Sequence, residues 1–144
     1  MSLFSVMSIS ASGMQAQRVR AELLTENLAN AETTRTPEGG PYRRKDVVFE
    51  SSNVDSPFTS EFQSQLDNPG GVAVSDVVVD QSAPDLRYQP GHPDADANGY
   101  VAFPRVNPAE DMVDLMGAAR SYEANVAAIS AVKDMIQRSL DLYR

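Results

Sequence analysis

Asp94, Asp96, Asn98 and Gly99, in the stretch GHPDADANGY, fall at positions 1, 3, 5 and 6 of a possible calcium loop. Side-chain oxygens at that spacing, with Gly at the sharp turn, are what a hard cation takes. The rest of the loop does not complete the cage. Position 12, where a bidentate Glu belongs, is Arg105, whose charge repels a cation. Position 9 is Ala102, position 11 is Pro104, and Pro90 and Pro93 stand where a helix would precede the loop. The other reading is a tight turn set by Asn98-Gly99, with the short acidic side chains capping local amides. His92 is the only histidine and sits between Gly91 and Pro93. A general base needs an orienting partner and a nucleophile. The chain has neither G-x-S-x-G nor H-E-x-x-H, so one structural hydrogen bond is the expectation for His92. Gly39-Gly40 is followed by Pro41, which removes an amide donor, and no G-K-[ST] occurs, so phosphate loops fail too. The absence of cysteine excludes disulfides, thiol nucleophiles and cysteine-ligated zinc. Nothing makes a positive case for an enzyme, and no cofactor or metal is expected.

The elements that must position these residues are legible at both ends. Asn107-Pro108-Ala109-Glu110 is a helix start, with Asn107 as cap and Pro108 in the first turn. From Met112 to Tyr143 there is no Pro, and the one Gly is Gly117. Met112, Leu115, Ala119, Tyr122, Val126, Ile129, Lys133, Ile136, Leu140 and Tyr143 keep a strict 3-4 spacing, and nine of these ten are apolar. That is a coiled-coil signal, compatible also with a long helix of an ordinary bundle. A second stripe holds Val113, Met116, Val132 and Met135, so this helix is apolar on more than one side. The N-terminal pattern predicts a helix from about Phe4 to Asn30. Met7, Met14, Ala21 and Leu28 recur on one face, and Ile9, Ala16 and Leu23 on nearly the opposite one. A helix apolar on both sides needs neighbours on both sides. One is expected to be the C-terminal helix, the other a further part of the chain or a second subunit.

The middle differs in character. Ala31 to Pro41 is a breaker-rich loop. Tyr42 to Glu50, Val72 to Asp80 and Tyr100 to Phe103 are the strand candidates. Ser51 to Gly71, with Phe58, Phe62 and Leu66, carries no assignment. The expected class is mainly α with a small β insert: long N- and C-terminal helices packing as a coiled-coil-like pair, antiparallel or near-parallel, around a β-containing middle region. Residues 1–35 and 105–144 would form a discontinuous helical assembly domain, and 36–104 the insert, with 51–71 variable. The formal charge of −8 disfavours nucleic acid as partner. No run approaches the ~18 apolar residues of a membrane span. No basic residue precedes Arg18, so the N-terminus lacks the charged start of a secretory signal. Arg43-Arg44-Lys45, beside Arg35, suits an acidic partner surface or a solvated strand edge.

The stretch ENLANAETTRTPEGGPYRRKDVVFE, Glu26 to Glu50, resembles the N-terminal signature of the bacterial flagellar axial proteins of the rod and hook. Asn27, Leu28, Ala29, Asn30, Thr33 or Thr34, and Tyr42-Arg43-Arg44 match its N-L-A-N…T…Y/F-K/R pattern. The stretch with Gly91, His92, Pro93, Asp94, Asp96, Gly99 and Tyr100 is similar to a structural hallmark of the family's proximal rod members, and AARSYEANVAAISAVKDM resembles its C-terminal helix.

The resemblance implies a structural subunit of the basal-body proximal rod, polymerising into the hollow drive shaft in the periplasmic space. It implies export through the flagellar type III apparatus without a cleaved signal, and termini that order on assembly. Implied neighbours are other proximal rod proteins, the rod–membrane-ring adaptor and the distal rod protein. The assembly residues expected are Leu23, Leu28, Met112, Leu115, Tyr122, Val126, Ile129, Ile136 and Leu140, with Arg43 to Lys45 and the loop from Gly91 to Asn98 setting lateral contacts. Two other classes stand beside this one: a soluble helical adaptor or export-chaperone-like binding module, and a calcium-binding protein.

Overall fold

The computed structural model describes residues 3–52 and 70–142. Two long helices, α1 (Leu3–Ala29) and α2 (Pro108–Asp141), frame four strands. β1 (Lys45–Ser52) pairs antiparallel with β2 (Gly71–Val79), and β3 (Asp85–Tyr88) with β4 (Tyr100–Phe103), as two separate two-stranded sheets. The variable stretch, Phe58, Phe62 and Leu66 included, lies almost wholly outside the described residues, as does Tyr143.

Ser8, Ala11, Gln15, Arg18, Glu22, Thr25 and Ala29 are exposed on α1, at 3-4 spacing, and the helix is otherwise buried or half-buried where its side chains are described. α1 therefore meets neighbours around most of its girth. One is α2, and the other is the β1–β2 hairpin of the same chain. The two apolar faces of the sequence pattern are thus both met within one subunit. Leu24 and Ala16 are its buried apolar residues, and covering a leucine is worth about 1.5–3 kcal/mol.

α2 begins as its sequence dictates. Asn107 Oδ1 accepts from the Ala109 amide at 3.2 Å, Pro108 follows, and Glu110 and Asp111 lie in the first turn, at the positive end of the helix dipole. Arg20 Nη2 lies 3.5 Å from Asp114 Oδ1. A Cβ on Gly13 would come within 3.1 Å of the Asn125 side chain. Position rises along α1 as it falls along α2, so the helices run antiparallel, and Gly13 permits their close approach.

The inward stripe of α2 is Asp111, Leu115, Ala118, Asn125, Ile129, Val132 and Ile136. It shares only Leu115, Ile129 and Ile136 with the 3-4 stripe of the sequence pattern. Met112, Ala119, Tyr122, Val126, Lys133 and Leu140 are exposed. The reason is that α2 is apolar on several sides, and the seam takes the side carrying small Ala118 and Asp111.

On β1, half-buried Lys45, Val47 and Phe49 alternate with exposed Asp46, Val48 and Glu50. The register against β2 shifts between Val48 and Phe49, leaving Ser75 as the extra residue of a bulge. β1 begins three residues later than the pattern predicts, because the Tyr42 amide is engaged by the Thr33 carbonyl at 3.0 Å. β3 was not anticipated. Its four residues are all exposed, so no apolar run marks it, and Tyr88 pairs with Tyr100 only across a long loop. β4 supplies the buried Val101 and Phe103.

Candidate assembly interface

The motif residues converge on a junction between α1, the segment entering β1, and α2. Asn27 is fully buried. Its Nδ2 donates to the Lys45 carbonyl at 2.9 Å, and its Oδ1 accepts from the Lys45 amide at 3.0 Å and the Tyr42 hydroxyl at 2.9 Å. One amide side chain thereby pairs with both backbone groups of Lys45, as a neighbouring strand would. Asn30 finishes the helix: its Nδ2 donates to the Glu26 carbonyl at 2.9 Å, and its Oδ1 accepts from Thr33 Oγ1 at 3.2 Å. Burial, then the charge of Glu26 and a hydrogen bond with it, and then Asp111, push the Tyr42 hydroxyl up to about 12, so it stays a neutral donor. Leu23 and Leu28 are half-buried on α1, and Ala29 is exposed.

The basic run is engaged within the chain. Arg43 donates to the Asp80 carbonyl at 3.3 Å and Gln81 Oε1 at 3.1 Å. Arg44 lies 3.2 Å from Asp111 and 3.3 Å from Asp46, and Lys45 pairs with Glu26. Arg35 Nη1 stands 3.8 Å from Asp94.

The acidic loop is a set of caps. Asp96 Oδ1 accepts from the amides of Asn98 and Tyr100, each at 2.8 Å, and the Asp96 amide donates to the Tyr100 carbonyl. Asp94 Oδ2 accepts from Thr34 Oγ1 at 2.8 Å, which ties this loop to the loop after α1. His92 Nδ1 accepts from the Asp94 amide at 3.1 Å, the single structural bond the sequence suggested, and its ring lies 6.2 Å from that of Phe103. Gly99 has φ of +82°, and a Cβ there would stand 2.9 Å from the Tyr88 ring and 3.2 Å from Pro90, so only glycine fits. Gly91 has open space around it, and Pro93 and Tyr100 complete the turn and the start of β4. Among the described residues no group of three or more His, Asp or Glu is placed to hold a metal ion.

A concavity of about 690 Å³ lies between the hairpins and the start of α2, lined by Arg44, Asp46, Asp80, Arg87, Arg105 and Glu110 among others. It is lined by charges of both signs, and no nucleophile–base pair stands in it. The unsatisfied surface is elsewhere. Met112, Val113, Met116, Tyr122, Val126, Met135 and Leu140 of α2 are all exposed, Leu140 by 66 %. The open stripe of α1 is polar or small by comparison. A long helix with exposed apolar flanks is a surface for another protein chain rather than for a small molecule. Among the described residues no helix is long and apolar enough to cross a membrane.

The chain is similar to known proteins along its whole length. A family model described as the C-terminal region of the flagellar basal body rod FlgEFG proteins matches residues 97–142, which span β4 and α2. The flagellar basal-body rod protein FlgC of Bacillus subtilis is 43% identical over 99% of this chain and 99% of its own. Those of Borreliella burgdorferi, at 40% over 100% and 99%, and Salmonella typhimurium, at 39% over 99% and 98%, are similar in the same way.

Proposed function

The chain belongs to the family of flagellar basal-body rod proteins FlgC, and on that premise we propose that it joins the rod chiefly through the exposed apolar flanks of α2. The protein is a structural subunit of the flagellar rod and resides in the basal body. In the proposed reading it builds the proximal rod. Residues 1–35 and 105–144 act together as the assembly domain, and the helix pair continues as a coiled-coil-like inner layer of a hollow tube, with 36–104 as the insert outside it. Its neighbours are further copies, other proximal rod proteins, the rod–membrane-ring adaptor and the distal rod protein. It reaches the periplasmic space through the flagellar type III export apparatus without a cleaved signal.

The observation that carries the α2 reading is the mismatch between helices. α1 has little open surface, and that surface is polar or small, whereas α2 keeps Met112, Met116, Val126 and Met135 uncovered. Each is about half exposed, so covering the rest gains about half of the ~1.5–3 kcal/mol of a full burial, and a rod subunit has several neighbours to cover it.

Val126→Asp tests this. Val126 is 43 % exposed and off the α1 seam, so the charge should leave monomer stability within about 0.5 kcal/mol. Rod incorporation, read by basal-body purification from cells carrying the variant, should be lost. Normal rods built from Val126→Asp chains would refute the α2 reading. Ile129→Asp is a poorer probe, because Ile129 is half-buried on the face toward α1.

A further inference from the structure

Asp111 is the only buried charged residue among those described. It lies in the first turn of α2, and its side chain is fully covered. Arg44 Nη2 stands 3.2 Å from its Oδ1, an ion-pair distance, yet neither carboxylate oxygen accepts a directed hydrogen bond. The Arg44 Nε is in the same condition, although Asp46 is 3.3 Å away. The charges around Asp111 are lopsided. Glu110 and Asp114 come from α2, Asp46 from β1, and Arg44 and Tyr42 from the segment entering β1. From α1, Arg20 pairs with Asp114, and Glu26 faces Tyr42 and Lys45.

We propose that Asp111, buried at the root of α2, is a pH-sensitive latch: the first turn of α2 is seated more firmly when Asp111 carries a proton than when it is ionised, because its burial and the neighbouring acids outweigh the pull of Arg44. Ionised, Asp111 is a buried anion with one poorly aimed cation and several acids for company. Protonated, it loses the desolvation penalty of a buried charge, while Arg44 keeps Asp46. Burial is the main influence raising the Asp111 carboxyl above its ordinary value. Arg44 pulls it down, and Asp46, Glu110 and Asp114 push it further up. A carboxyl raised in the folded state binds protons more readily there than in the unfolded chain. Its contribution to stability is therefore fully present below the ordinary carboxylate range and is lost as pH rises through the elevated value.

The latch deepens the α2 assembly reading, since it sets how firmly the proposed assembly helix is rooted, but it is a property of the isolated chain and is tested there. The urea midpoint of the full chain, kept dilute, is followed from mildly acidic to mildly alkaline buffer for the wild type, Asp111→Asn and Asp114→Asn. The wild-type midpoint should fall as pH rises through the Asp111 window. Asp111→Asn, a neutral isostere, should flatten that part of the profile and match or exceed the wild type at the alkaline end. Asp114→Asn should keep a fall of the same sign, displaced to lower pH because one of the acids that raise Asp111 is gone. The latch is overturned if Asp111→Asn keeps the full slope, or if it is less stable than the wild type at the alkaline end. Failure of that variant to fold counts as the second case, because ionised Asp111 would then be a net stabilising partner. A flat profile for Asp111→Asn beside normal rods from Val126→Asp would leave the latch standing and the α2 reading refuted.

Discussion

Asn27 stands in for a strand. Its amide holds the backbone N–H and C=O of Lys45 and the hydroxyl of Tyr42 in one buried place. Asn27→Leu, of similar volume, would orphan all three groups. At about 1–3 kcal/mol for each unsatisfied buried group, with part of that recovered by relaxation, the expected loss is roughly 2–5 kcal/mol. A urea midpoint unchanged by the substitution would show that Lys45 is held by other means. In the sequence, Asn27 was visible only as part of a family resemblance. Its role depends on a residue 18 positions away, and no periodicity reports a side chain that pairs with distant backbone. The acidic loop was the easier case. Arg105 at the closing position argued against a calcium cage, and Asp96 caps the Asn98 and Tyr100 amides instead. The basic run was compatible with an acidic partner surface or a solvated strand edge; Arg43 is exposed at the entry to β1, and Arg43, Arg44 and Lys45 are each bonded within the chain. Charge runs do not reveal which acids the fold brings to them.

At the scale of elements, both helices and three of the four strands were legible, because long apolar patterns and an Asn-Pro start survive any tertiary context. The facing of α2 was not. A helix apolar on several sides offers several seams, and the choice is made by small residues and by the Asp111 tie, which carry no hydrophobic signal. Two adjacent alanines test the observed facing. Ala118 is 1 % exposed, and Ala119 points to solvent. Ala118→Leu should overpack the α1–α2 seam and cost about 1–3 kcal/mol. Ala119→Leu should change monomer stability by no more than about 0.5 kcal/mol. Thermal unfolding of both variants decides the matter, and a reversed order would mean the helix is rotated by about 100° from the orientation described.

The molecule as a whole carries a formal charge of −8 together with uncovered apolar flanks on α2. Like-charged copies repel, and salt screens that repulsion over about 10 Å at 0.1 M. Self-association of the isolated chain should therefore strengthen as salt is added at fixed protein concentration, read as a rising weight-average mass in sedimentation velocity. A mass that falls with salt would mean that charge pairs, not apolar faces, hold copies together. The same arrangement has a mechanical side. Among the described residues α1 is the one element in contact with both the other helix and a strand layer. α2 meets α1 near Asn125 and Asp114, α1 meets β1 through Asn27, and Arg44–Asp111 ties α2 to the segment entering β1 directly. Among the described residues the β3–β4 hairpin touches no other helix or strand along its backbone and is tethered by loop contacts such as Thr34 to Asp94. What seats it is side-chain burial at Val101 and Phe103, so the hairpin is anchored by a plug and a tether rather than by a shared ladder.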